Sequence, residues 1–290
     1  MHPDLQTPVT LIILAVTAVV SIVAFRDRRL WERLMLKPRE ILADKQYERL
    51  LTSGFVHGDG FHLAFNAYSF LAFGRSIETI YGIKTLLLVY FSSILGGSLL
   101  SLFIHRHHDY RALGASGGVC GLIFASIFLL PGGSIHLFFI PIGIPAYLFA
   151  VLFLVFSFVM MRRGKDNIGH DAHIGGAVVG LLVATAMYPE MMTANPAMYA
   201  AVIVLSALIL VVTIFDPLHL LEKGMSVVRD GDSPKGSERF QRYDEARKRN
   251  AKLAEIDRLL DKVSAQGIHS LSRAEREKLD ELSKEFRDRR

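Results

Sequence analysis

Seven apolar runs, each close to the length of a bilayer crossing, leave this chain few folds to adopt. They cover residues 9–25, 61–81, 85–104, 113–130, 135–161, 172–187 and 197–215. In hydrocarbon the backbone N–H and C=O groups must find partners inside the segment, so runs of this length read as helices. A hydrophobic fraction of 51% and a mean hydropathy of +0.33 exceed what an ordinary soluble domain carries. The expected fold class is all-α, a polytopic membrane helix bundle. The first run lacks a basic stretch before it and a small-residue cleavage site after it, and reads as a retained span rather than a signal peptide. Pro141 and Pro145 interrupt the fifth run, whose helix is expected to begin near Ala146. The second run is the most polar, with His62, Asn66, Arg75 and Glu78. Such residues are tolerable where they face a protein interior or a wet cavity. Arg75 and Glu78, three apart, read as a snorkelling pair in preference to a Glu78 tie between loops.

Charge and cysteine exclude more than they assign. The formal net charge is +5, but 18 of the 33 basic residues follow Asp216, so the excess gives no ground for a nucleic-acid partner. Cys120 is the sole cysteine, and no internal disulfide is possible. Residues 26–57 carry eight basic and five acidic residues interleaved with Trp31, Leu34, Met35, Leu36, Ile41 and Leu42. That pattern suits the membrane–water interface and, equally, a soluble loop with small helices. Three histidines in the loop His105–Asp109 lack the accompanying ligand spacing of a metal site, so no metal and no cofactor are implied.

Three short stretches carry chemistry. Gly114-Ala115-Ser116-Gly117-Gly118-Val119-Cys120-Gly121 opens the fourth run. A helix N-terminus offers unpaired N–H groups and partial positive charge, the parts needed to hold an oxyanion. Gly117 and Gly121 equally form a G-x-x-x-G packing face. His173, in Gly169-His170-Asp171-Ala172-His173, stands at the mouth of the sixth run, where an imidazole can act as a general base. Gly176 and Gly180 follow it and would let its helix press on the Gly117/Gly121 face. His62 and Asn66, four apart, share a helix face and can both donate to a developing negative oxygen. Asp171, two residues before His173, points away from the imidazole on a helix, and His170 reads as a residue of the loop leading in.

Together these stretches resemble the rhomboid intramembrane serine proteases, which carry H-x-x-x-N, G-x-S-G and A-H-x-x-G-x-x-x-G on three successive core segments. Here they read His62 to Asn66, Gly114 to Gly117, and Ala172 to Gly180. The resemblance covers residues 9 to 189 and implies a six-helix core over 1–189. An added span over 190–216 and a soluble linker with a helical hairpin over 217–290 complete the expected domains. It implies a Ser116/His173 dyad without an aspartate, with His62 and Asn66 in the oxyanion hole. Gly114, Gly117, Cys120, Gly121, Gly176 and Gly180 would pack the site. The substrates implied are single-span membrane proteins cut within or near their transmembrane segment, with the lipid bilayer as surroundings. Many members place an aromatic residue four after the serine, against the histidine ring; Cys120 stands there and cannot stack. A non-catalytic adaptor that retains client helices would need neither Ser116 nor His173. A transporter would show repeated halves or more intramembrane charges.

After Asp216 the composition turns soluble. Residues 229–236 read as a linker, and Leu253, Ile256, Leu259, Leu260 and Val263 keep helical spacing. Gln266-Gly267 ends that helix, and Ser272-Arg273-Ala274-Glu275 is a capping box opening another, with Leu279, Leu282 and Phe286 as its stripe. The hairpin is a candidate docking element for a protein partner. Seven crossings would set it on the same face as Ser116 and His173. The expected location is a bacterial cytoplasmic membrane.

Overall fold

Local sequence chemistry sets where each helix starts and stops. The computed structural model describes residues 7–107, 109–135, 143–163, 168–194 and 196–215, and in the C-terminal stretch residues 259, 261–263, 268–272, 275–276 and 278–279. Pro141, the 229–236 linker, Gln266-Gly267, and Leu253, Ile256, Leu260, Leu282 and Phe286 of the hairpin stripes lie outside the described residues. Among the described residues nine α-helices follow in order: α1 (Pro8–Arg26), α2 (Arg28–Leu34), α3 (Pro38–Ala43), α4 (Arg49–Thr52), α5 (Gly60–His105), α6 (Ser116–Leu129), α7 (Ala146–Arg163), α8 (His170–Met187) and α9 (Pro196–Phe215). The architecture is a helix bundle. α1, α5, α7 and α8 are long and apolar enough to cross a membrane; Ser116–Leu129 and Tyr199–Phe215 are shorter apolar helices. One short antiparallel pair, Ser134–Ile135 with Ile144–Pro145, precedes α7, which begins at Ala146.

α5 is two rods. Gly82 sits at φ 83°, ψ 169°, and breaks the 46-residue element. A Cβ there would meet nothing within 4 Å, so it is the backbone conformation and not space that calls for glycine. α6 is the centre of the bundle: all its residues but Ser116 and Ile123 are buried. α5 and α8 pack directly on it, α1 lies against α5, and α7 stands between α8 and α9.

Glu78 corrects the sequence expectation. Its carboxylate accepts from the N–H groups of Val9 (3.0 Å) and Thr10 (2.7 Å) and from the Thr10 hydroxyl (2.6 Å). It therefore caps the N-terminus of α1 from across the bundle, the tie that the sequence reading set second. The first-turn N–H groups of a helix need acceptors, and an anion there also suits the helix dipole. Pro8 at the first turn has no N–H to satisfy.

The segment between α1 and α5 folds into the small helices α2, α3 and α4. Buried Arg49 gathers it by donating from Nη1 to the carbonyls of Glu32 and Met35, both at 2.8 Å. Leu36 and Ala112 exchange backbone hydrogen bonds of 2.8 and 3.1 Å, which fastens this segment to the loop ahead of Ser116. Within the same segment, Lys37 Nζ lies 2.7 Å from Glu32 Oε2 and holds that carboxyl below the usual range.

The chain divides into two compact units, Met1–Asp216 and Pro217–Arg290. Within the second, the reciprocal capping box forms. Ser272 Oγ accepts from the Glu275 N–H at 3.2 Å, and Glu275 Oε2 accepts from the Ser272 N–H at 2.9 Å. Lys262 Nζ donates to the same carboxylate, which these partners pull down to about 2.

Candidate active site

Ser116 is the first residue of α6, three residues inside the apolar run that suggested the helix. Gly114 explains the delay. Its φ of 123° is outside helical space, and a Cβ on it would sit 2.8 Å from Cε1 and Nε2 of His62. The chain turns there, Ala115 becomes the N-cap, and no side chain caps the helix. The N–H groups of the first turn have no intrahelical acceptor by construction.

Two long-range hydrogen bonds hold that turn. Gly114 N–H donates to the Ser53 carbonyl at 2.9 Å, and Ala115 N–H donates to His57 Nε2 at 3.3 Å. His57 is fully buried. With Nε2 accepting, the ring proton is on Nδ1, which lies 2.9 Å from Ser21 Oγ, and Ser21 donates in turn to the Phe55 carbonyl at 2.9 Å. Trp31 Nε1 holds the His57 carbonyl at 3.0 Å. A neutral imidazole thus links α1, the first loop and the serine turn.

Burial, with a smaller contribution from His62, pushes His57 down to about 3. Unfolded, this histidine takes a proton near pH 6.5; folded, it does so only near 3. The unfolded chain then binds the extra proton between those values, so this contribution to stability is present above pH 6.5 and is lost as pH falls toward 3. Thermal unfolding of the detergent-solubilised protein should show the midpoint dropping through that window, by up to about 1.4 kcal/mol per pH unit from this group. His57→Gln, whose amide oxygen can still accept from Ala115, should flatten the slope. An equal slope in parent and variant would assign it elsewhere.

His173, one turn into α8, places Nε2 2.8 Å from Ser116 Oγ. Glycines make that approach possible. A Cβ at Gly176 would lie 2.0 Å from the Gly117 carbonyl oxygen, and one at Gly180 would lie 2.4 Å from the Gly121 Cα. α6 and α8 touch backbone to backbone, and that contact sets the serine beside the imidazole.

His62 and Asn66 stand on the first rod of α5. Asp59 caps that rod by accepting from the His62 N–H at 2.8 Å. Asn66 Nδ2 donates to the His62 carbonyl at 3.0 Å, which leaves its second N–H for another acceptor. Gly58 N–H reaches His62 Nδ1 at 3.4 Å, so the ring's donor is Nε2, on the Gly114 side.

One cavity of about 760 Å³ brings together Ser116, His173, His62, Asn66, Gly114, Gly117 and Cys120. Gly121, Gly176 and Gly180 do not line it; they form the seam behind it. Cys120 is buried beside the site. The aromatic neighbours of the imidazole come from elsewhere: Phe153 of α7, with ring centroids 6.3 Å apart, and His170, edge-on at 5.7 Å. His170 is the buried first residue of α8, not a loop residue as its sequence position suggested. Phe153 and His57 were missed in the sequence; one is an unremarked aromatic in a run of them, the other a lone loop histidine. The arrangement can take a proton from a serine hydroxyl and offer hydrogen-bond donors to a negative oxygen nearby.

Comparison with known proteins bears on this geometry. The Rhomboid domain model matches residues 44–190, and a family of unknown function matches residues 241–285. The chain is 34% identical over 153 residues to the RHOMBOID-like protein 12, mitochondrial, of Arabidopsis thaliana, covering 46% of this chain and 44% of the relative. It is 29% identical over 151 residues to the rhomboid protease GluP of Bacillus subtilis, covering 52% and 28%. It is 26% identical over 180 residues to the rhomboid protease GlpG of Haemophilus influenzae, covering 61% and 89%. The match spans less than half the length of the first two relatives.

Proposed function

Because the chain belongs to the rhomboid family, we propose that it is a serine endopeptidase that cuts single-span membrane proteins within or near their transmembrane segment. The observation that carries this reading is the 2.8 Å contact between Ser116 Oγ and His173 Nε2. In the Nδ1–H tautomer His173 accepts the serine proton as Oγ attacks the scissile carbonyl. The same imidazole then hands that proton to the leaving amine. The tetrahedral oxyanion is held by the Ser116 N–H, the second N–H of Asn66 and His62 Nε2–H. Water then repeats the cycle on the acyl-enzyme. Asp171 takes no part in the dyad, since its carboxylate is bound to Tyr110.

In this reading the two rods of α5 are separate crossings, and with α1, α6, α7 and α8 they make a six-span core to which α9 adds a seventh. The membrane we assign is a bacterial cytoplasmic one; the relatives' names include both bacterial and mitochondrial proteins. A substrate helix hides its peptide bonds in its own hydrogen bonds, so it must unwind locally to present a carbonyl. Small or helix-breaking residues near the cut follow from that. An adaptor that only retains client helices would need no serine–imidazole contact.

The test is cleavage of a single-span fusion protein by the purified protein in detergent, with the new termini mapped by mass spectrometry. A substrate left intact would overturn the reading. In the same assay Asn66→Ala should lower kcat by about 10² to 10³, the usual effect of losing one oxyanion donor, with KM little changed. A variant with parental kcat would remove Asn66 from the oxyanion hole.

A further inference from the structure

A second cluster of polar side chains lies behind the dyad. Asp171 is the second residue of α8 and is buried. Its Oδ1 accepts from the Tyr110 hydroxyl at 3.1 Å, and its Oδ2 lies 3.3 Å from His105 Nε2. The His105 and Tyr110 rings stack, centroids 3.6 Å apart and planes 9° from parallel. His105 ends α5, and Tyr110 stands in the loop six residues ahead of Ser116. Three chain segments therefore converge on one carboxylate, and two of them lead straight into the dyad.

From this geometry, and resting on the protease reading above, we infer that Asp171, Tyr110 and His105 form a clamp that sets the position of His173 against Ser116. Residues two apart on a helix point to nearly opposite sides. Asp171 faces out of the site while His173 faces in, so a tether on one fixes the rotation of the other. A buried carboxylate needs partners, and removing one leaves an uncompensated charge, so the three groups hold one arrangement. Burial, and then the Asp171 charge, push the Tyr110 phenol well above its ordinary range, so it is a donor at any working pH. His105 Nε2–H can donate to the carboxylate whether the ring is neutral or charged. Asp171 is thus a positioning residue for the proposed hydrolysis, acting through the imidazole it does not touch.

The experiment compares the full chain with Asp171→Ala, Asp171→Asn and Tyr110→Phe in detergent, using the single-span fusion and reading kcat and KM separately. A misplacement of about 1 Å in a reacting group costs on the order of 10² in rate. Asp171→Ala should therefore lower kcat by about 10² with KM nearly unchanged. Asp171→Asn, whose amide oxygen still accepts from Tyr110, should recover about 10-fold of that loss. Tyr110→Phe, which keeps the ring and its stacking, should lose about 10-fold and serves if Asp171→Ala does not fold. Parental kcat in Asp171→Ala or Tyr110→Phe, a change in KM alone, or no rescue by Asn would overturn the clamp while leaving the protease reading intact. A parent that cuts nothing overturns both.

Discussion

Ser116→Ala is expected to bring cleavage of a single-span substrate down to background. The side chain lost is the one whose oxygen lies 2.8 Å from His173 Nε2. His173→Ala should cost nearly as much, because a serine hydroxyl is a poor nucleophile until a base takes its proton. Losses of about 10⁶ in kcat accompany removal of either member of such a unit, and the effects do not add. The double variant should therefore be no slower than either single one. Substrate should still bind, since alanine at position 116 removes one oxygen from a cavity of about 760 Å³. Cleavage followed under single-turnover conditions, with binding measured separately, checks both halves. Parental cleavage by either variant would take the chemistry away from this pair.

Gly176→Val is expected to separate α6 from α8. The first added carbon would fall 2.0 Å from the Gly117 carbonyl oxygen and 2.6 Å from its carbonyl carbon. Both are backbone atoms, so no side chain can swing aside. Overpacking inside a fitted core costs about 1–3 kcal/mol when neighbours can move, and here the helices themselves must. The expected result is a lower unfolding midpoint and a fall in kcat of at least about 10², since the displaced seam carries Ser116 on one side and His173 on the other. Gly60→Ala is the matched control. Gly60 is exposed at the start of α5, and a Cβ there meets nothing within 4 Å. If Gly176→Val unfolds and cleaves like Gly60→Ala, the backbone contact is not what sets the site.

These two cases also show why part of the site was legible in the sequence. Ser116, His173, His62 and Asn66 each stand at a polar position on an apolar run, where an ionisable or amide group is conspicuous. The glycines that let their helices meet recur at helical spacing. Spacing along one segment is what periodicity records. The rest depends on partners far apart in the chain. Glu78 had a nearer candidate in Arg75, three residues away, and the α1 N–H groups it caps are 68 and 69 residues off. His57 reaches Ala115 across 58 residues, from a loop with no regular pattern to mark it. Gly82 lies between two apolar runs, where a glycine is unexceptional, and only its φ shows that it divides α5. Asp171 could be turned away from the imidazole by helical geometry alone, but its partners His105 and Tyr110 come from other segments.

Reaction with a fluorophosphonate tests the central claim most directly, because it reads the activated hydroxyl without a protein substrate. The serine oxygen displaces fluoride and forms a P–O bond, with the imidazole taking the proton. Peptide mass spectrometry of the detergent-solubilised protein should find the adduct on Ser116 in the parent and no adduct there in His173→Ala. An unlabelled Ser116 in the parent, or full labelling without His173, would contradict the account.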